Sequence, residues 1–156
     1  MKIRNRIKEL RMIKASELMP NPKNWRTHPQ SQQDALKGIL AEVGYADALL
    51  ARKLPDGSLM LVDGHLRAES TPDLEVPVLI LDITESEADK LLLSLDPLSA
   101  MAGTDALALD SLLREVNTGS EALSQMFADM AAEAGLYQDN EKEIFEDGEV
   151  WVSATP

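Results

Sequence analysis

The stretch SLMLVDGHLRAEST, residues 58–71, passes from an apolar run through a glycine into a short polar segment that stops at Thr71-Pro72. The apolar run makes SLMLVD (58–63) a strand, and Gly64 turns the chain. HLRAES then has room for only about two helical turns, because the residue before a proline is disfavoured in the α region. A glycine turn leading directly into a helix leaves backbone N–H groups and the positive end of the helix dipole where an anion can sit. Gly64 permits close backbone approach, Arg67 offers a planar fork matched to phosphate oxygens, and His65 adds a group that can move protons near neutral pH. The residues alone leave a second reading open, in which Asp63 merely caps the helix, His65 lies on the surface, and Arg67 pairs with Asp63 or Glu69.

Upstream, ALLARKL (48–54) and the Pro55-Asp56-Gly57 turn make a β-hairpin with the opening strand. Before it, SQQDALKGILAEVGY (31–45) places Leu36, Ile39, Leu40 and Val43 on one helical face. Ser31 is the expected N-cap of that helix and Gly44 its terminator. LMPNPKNWRTHPQ (18–30) is too rich in Pro and Asn for regular structure and reads as a loop carrying Asn21, Asn24, Trp25, Arg26 and His28. Leu10–Ile13 alternates as a strand, and residues 1–9 read as a basic arm.

Downstream, EVPVLILDI (75–83) is the most strand-like run in the chain. TESEADKLLLSLD (84–96) opens with Thr84 and Glu87 in capping-box spacing, and Pro97 is expected to end the helix. Two more amphipathic helices follow, DALALDSLLREV (105–116) and SEALSQMFADMAAEAGL (120–136). Strands interleaved with helices early, and helices alone later, predict an α+β fold: a domain over 10–100, a helical extension over 104–136, and an acidic tail or linker over 137–156.

Composition narrows the chemistry. The chain has no cysteine, so disulfides, thiolate metal sites and cysteine nucleophiles are excluded. Six aromatic residues are too few for a base-stacking platform. No run reaches the length of a membrane span, and a cytoplasmic location without membrane contact is expected. The net charge of −12 is unevenly spread: residues 1–67 carry 12 Lys+Arg against 7 Asp+Glu, and residues 68–156 carry 3 against 20. A basic first half that faces phosphate is the expected arrangement. Two histidines, His28 and His65, are too few for a metal signature, and no metal-ligand set is assigned.

The order of motifs, a loop with NPKNWR, a helix ending in EVGY, a hairpin ending in LMLVDGHLRAES and then EVPVLILDITESEADKLLL, resembles the N-terminal domain of ParB and its relatives over residues 10–100. That superfamily includes sulfiredoxin and free-standing ParB-like proteins of phages, plasmids and mobile elements, some labelled ParB-like nucleases. The resemblance implies a small mixed sheet with helices, and a glycine motif that binds the phosphates of a nucleoside triphosphate, CTP or ATP, with Mg2+. It carries nucleotide or phosphate binding onto Asp63, Gly64, His65 and Arg67, and less strictly onto Asn24 and Arg26. If the domain is an enzyme, a triphosphatase or magnesium-dependent nuclease, the catalytic candidates are His65, Arg67 and Glu69.

The sequence also departs from the family pattern. ParB proper has several arginines in its glycine motif where this chain has His65 and Arg67. An Asn-x-x-Arg-like element usually follows the last helix of the site, but here the chain reads LSLDPLSAMAG, with Asp96 and Pro97. Without cysteine, sulfiredoxin chemistry is excluded. Binding of nucleotide or DNA phosphate as a DNA-associated accessory protein is therefore expected ahead of catalysis. The alternative is a non-catalytic interaction module whose acidic, Leu/Met-rich helices dock a partner such as a DNA methyltransferase or form a homodimer.

Overall fold

The structure, a computed structural model, describes residues 1–137, so all of the expected acidic tail except Tyr137 lies outside the described residues. Two compact units are present, residues 1–102 and a second unit beginning at Gly103.

The first unit is built on a four-stranded sheet. Its strands are β1 (Ile7–Lys14), β2 (Leu49–Lys53), β3 (Leu59–Asp63) and β4 (Glu75–Leu81), in the order β1-β4-β2-β3. β1 lies antiparallel to β4, β4 parallel to β2, and β2 antiparallel to β3. This is the expected α+β arrangement with a mixed sheet. The β2–β3 pair is the hairpin read from Pro55-Asp56-Gly57, where Asp56 Oδ1 accepts the Ser58 N–H at 2.9 Å and Gly57 takes φ 89°.

Alternation explains the core. Val76, Val78 and Ile80 point to one face of β4, where they meet Ile13, Leu49, Ala51, Leu59 and Leu61 from the other strands. Ala15 from the 3-10 turn Ala15–Glu17, Leu18 just after it, and Ala68 from α2 (His65–Ser70) close that face. Leu49, Val76 and Val78 are essentially inaccessible, so truncating any one to Ala is expected to cost a few kcal/mol, about 2–5 for Leu. β4 is central because it is the most continuously apolar strand.

Three local expectations need correction. β1 starts at Ile7 rather than Leu10, so three residues of the supposed arm are strand, held by register with β4. Alternating charged residues obscured it, because an edge strand tolerates Lys8, Glu9 and Arg11 facing water. Helix α1 (Gln30–Glu42) is capped by Pro29, not Ser31: the Pro29 carbonyl accepts from Gln32 and Gln33 N–H at 3.0 and 3.2 Å. Proline's fixed φ presets the residue that opens the helix. Helix α3 (Glu85–Ala100) runs through Pro97 instead of ending there. The proline removes one N–H, and the carbonyl left over, that of Leu93, sits on an exposed turn where water can satisfy it. The N-terminal end of α3 is as expected, with the reciprocal Thr84–Glu87 capping box in place.

In the second unit α4 (Ala106–Glu115) and α5 (Glu121–Glu133) are capped by Asp105 and Ser120. α4 buries no residue, and Leu107 and Leu112 remain exposed. Among the described residues no helix is long and apolar enough to cross a membrane.

Candidate functional site

The chain crosses from β3 into α2 through Gly64, which has φ 96° and ψ 21°. That left-handed conformation suits glycine, and space forbids anything larger: a Cβ would lie 2.7 Å from Leu49 Cγ and 3.1 Å from Arg67 Nη2. Gly64 is itself the N-cap residue and no side chain caps the helix. Asp63 is not a cap; its carboxylate accepts from Arg67 Nη2 at 3.3 Å.

Arg67 folds back across the turn. Its side chain is only 15% exposed and is held by Asp63 and Asp47, with Nη1 donating to the Asp47 carbonyl at 3.1 Å and lying 3.4 Å from the Asp47 carboxylate. Tyr45 Oη donates to the Arg67 carbonyl at 3.0 Å, and Thr71 Oγ1 does the same at 2.8 Å, so the far end of α2 is fixed as well. Glu69 is exposed and is not among the residues lining the cleft next to Gly64.

His65 is buried at 7% exposure. Its Nε2 accepts the backbone N–H of Asn21 at 3.2 Å, which requires an unprotonated Nε2. Burial favours that neutral form and lowers the imidazole pKa below its ordinary 6.5, against the opposing pull of Glu69 and Asp63. His65 therefore clamps the loop that follows β1. Asn21 is the other half of the clamp: its Nδ2 donates to the Leu61 carbonyl at 3.2 Å and its Oδ1 accepts the Lys23 N–H at 3.0 Å. Asn24 repeats the two-residue turn, its Oδ1 accepting the Arg26 N–H at 3.3 Å, and this shapes the loop that presents Arg26.

The loop is strapped to one face of α3. Lys23 reaches Glu85 at 3.3 Å and Asp89 at 2.9 Å, Trp25 Nε1 donates to the Leu92 carbonyl at 2.9 Å, and Arg26 lies 3.3 Å from Asp96. Helical spacing puts those four α3 positions in a row. The Arg26 guanidinium also stacks over Trp25, 5.0 Å from the ring centre.

Between the α2 turn and this loop lies a cleft of about 310 Å³ lined by Asn24, Arg26, His28, Asp47, Asp63, Gly64, His65, Arg67 and Asp96, with Leu91, Leu92 and Leu95 from α3. Six of the seven residues singled out from sequence thus line one cleft, and Glu69 does not. Asp47 was not anticipated, because it sits in an unpatterned link between α1 and β2. Asp96 holds Arg26. The charge asymmetry of the chain is partly internal: Arg6, Lys23 and Arg26 pair with Glu87, Glu85, Asp89 and Asp96 of α3. The first half is therefore not a free basic face. Among the described residues no three His, Asp or Glu side chains are grouped to hold a metal ion.

The sheet of order β1-β4-β2-β3 with its glycine-headed helix is an α+β fold, and it is similar to solved structures of ParB. The C-terminally truncated chromosome-partitioning protein ParB from Caulobacter crescentus, complexed with CTP-γ-S, is 18% identical and superposes with a TM-score of 0.53, covering 83% of this chain and 72% of its own. The same protein complexed to the centromeric parS site is 17% identical with a TM-score of 0.46, covering 81% and 70%. A Pnob8-like ParB-N domain is 17% identical with a TM-score of 0.46, covering 90% of this chain and 55% of its own. No family model matches the sequence, and no curated protein matches it. The chain has a ParB-like domain fold, established through structure rather than identity.

Proposed function

We propose that the cleft binds a phosphate-bearing ligand, a nucleoside triphosphate ahead of a nucleic-acid backbone, and that the protein is a DNA-associated accessory factor of the kind phages and mobile elements carry. The observation that carries this reading is the convergence of Arg67 and Arg26 on a single cleft headed by Gly64. Support comes from the fold: the Caulobacter ParB structure that superposes best among those described is a complex with CTP-γ-S. Arg67 receives phosphate as a bidentate fork, the Gly64 turn allows close approach, and Asn24 holds the loop that brings Arg26 to the opposite side.

Both arginines are already engaged by carboxylates, and Asp47, Asp63 and Asp96 outnumber them. A phosphate must displace Asp47 and Asp96, whose side chains are 85% and 49% exposed and thus weakly held. Mg2+ on a triphosphate would relieve the same conflict, because hard carboxylate oxygens suit it and one or two suffice when phosphates supply the rest. Asp63 and Asp47 are the residues that would meet it. Binding stands ahead of catalysis: His65 Nε2 is occupied by the Asn21 N–H, and Glu69 lies away from the cleft, so neither is placed as a proton carrier. Titration calorimetry with CTP, ATP, GTP and a short duplex, each with and without Mg2+, tests the reading. Magnesium-dependent triphosphate binding is expected; no heat with any of them overturns it.

α4 favours a second role for the helical unit. A helix that buries none of its residues and carries Leu109, Leu112 and Leu113 on one face offers an apolar stripe to a protein partner. Loss of such a partner from a chain truncated after residue 102, with ligand binding intact, is the expected result.

A further inference from the structure

β1 is an edge strand whose outer side is open. Of Ile7 to Met12 every residue is exposed, and Ile7, Leu10 and Met12 are 47%, 62% and 55% accessible. Edges of this kind are normally blunted, because the free N–H and C=O groups template another strand. The direction of those groups follows from the register. Ala15 N–H donates to the Leu74 carbonyl at 2.9 Å, and β1 pairs Ile13 with Val76, Arg11 with Val78 and Glu9 with Ile80. Alternation then turns the odd-numbered residues' backbone groups toward β4, and those of Leu10 and Met12 toward the open edge.

Any antiparallel strand that joins this edge from a second copy must set even positions opposite even ones, and side-chain charge selects among the few registers that do so. With Leu10 opposite Leu10 of the second copy, Glu9 faces Arg11 and Arg11 faces Glu9. Both are non-hydrogen-bonded pairs, in which side chains approach most closely. On the other face the two Leu10 side chains meet, and the irregularity between Ile7 and Glu9 ends the regular pairing at Lys8. Sliding by one residue per strand in one direction opposes Glu9 to Glu9, and in the other Arg11 to Arg11, and like charges directly opposite are destabilising. The next register sets Leu10 against Lys14 and makes no opposite-charge pair. Within one chain Glu9 and Arg11 already lie 2.5 Å apart and half exposed, so they need only exchange partners.

We propose that β1 is a homodimerisation strand: two copies join antiparallel about Leu10, with reciprocal Glu9–Arg11 pairs, into a continuous eight-stranded sheet. This surface is separate from the cleft and does not depend on what the cleft binds. The register fixes the partner as a second copy, since the Glu-Leu-Arg pattern of residues 9–11 complements itself on reversal.

Sedimentation equilibrium of the full chain over a wide concentration range tests it, with thermal melts to confirm folding. The wild type is expected to show a monomer–dimer equilibrium. Glu9→Arg and Arg11→Glu should each weaken it at least tenfold, an equimolar mixture of the two should form a heterodimer, and the Glu9→Arg/Arg11→Glu double variant should dimerise like wild type. Both positions are exposed, so folding should be retained. A wild type that stays monomeric, single variants that dimerise unchanged, or a mixture that fails to associate overturns the proposal.

Discussion

The two sides of the cleft are built differently. On the α2 side a left-handed glycine and a buried histidine flank an arginine that is only 15% exposed and is locked by Asp63, Tyr45 and Thr71. On the loop side Arg26 is 40% exposed and its contacts with α3, like those of Lys23, are surface ion pairs. Pairs of that kind contribute little each and are screened by salt. On the proposed function the difference separates two tasks: the α2 side would fix where a phosphate binds, and the loop side would yield to admit it. His65 joins them, since it grows from α2 and holds the loop by Asn21.

The largest effect expected from disturbing this contrast is Gly64→Ala. It combines a positive φ with a Cβ 2.7 Å from Leu49, and should destabilise the fold by about 1–3 kcal/mol and abolish ligand binding. Chemical denaturation and calorimetry on the same sample measure both. Next is His65→Ala, which leaves the buried Asn21 N–H without its acceptor, at a cost of about 1–3 kcal/mol. The same contact is sensitive to acid. Because burial lowers the folded pKa of His65, its contribution is present above its ordinary 6.5 and is lost as pH falls below that value. Melting curves from pH 8 to pH 5 in wild type and His65→Ala should converge on acidification.

On the loop side the signs reverse. Asp96→Ala frees Arg26 and should tighten triphosphate binding by about threefold to tenfold. Asp47→Ala removes a carboxylate that competes for Arg67 but would also meet Mg2+, so it should tighten binding without Mg2+ and weaken it with Mg2+. Smallest is Arg6→Ala, remote from the cleft. Arg6 holds the Glu87 carboxyl down at about 2, so the stability this pair adds is present above the ordinary carboxyl value of 4.5 and lost as pH falls from there toward 2. The variant should melt slightly lower than wild type at pH 7, with the difference closing as pH falls toward 2 and ligand affinity unchanged.

How much could be read from sequence follows the same division. The α2 side was legible because its signals are local: apolar alternation, one glycine, and a proline that limits the helix. β4, the hairpin and the Thr84 capping box were legible for the same reason. What sequence missed depends on contacts between segments distant along the chain. The Asn21–His65 bond spans 44 residues and the Lys23–Asp89 pair 66, and neither leaves a periodic trace. His65 therefore read as a candidate acid/base group, although its environment holds Nε2 as an acceptor. The basic character of the first half misled similarly, because the carboxylates that neutralise it lie in α3. Pro97 was read by its usual effect, and an exposed last turn absorbed it.

Arg67 is the proposed phosphate contact, and the direct measurement is the triphosphate affinity of Arg67→Ala against wild type, by titration calorimetry with Mg2+ at low salt. A loss of at least about tenfold, or about 1.4 kcal/mol, is predicted, with the melting profile showing a folded variant. Equal affinity in the two proteins would contradict it and move the ligand, if there is one, out of this cleft.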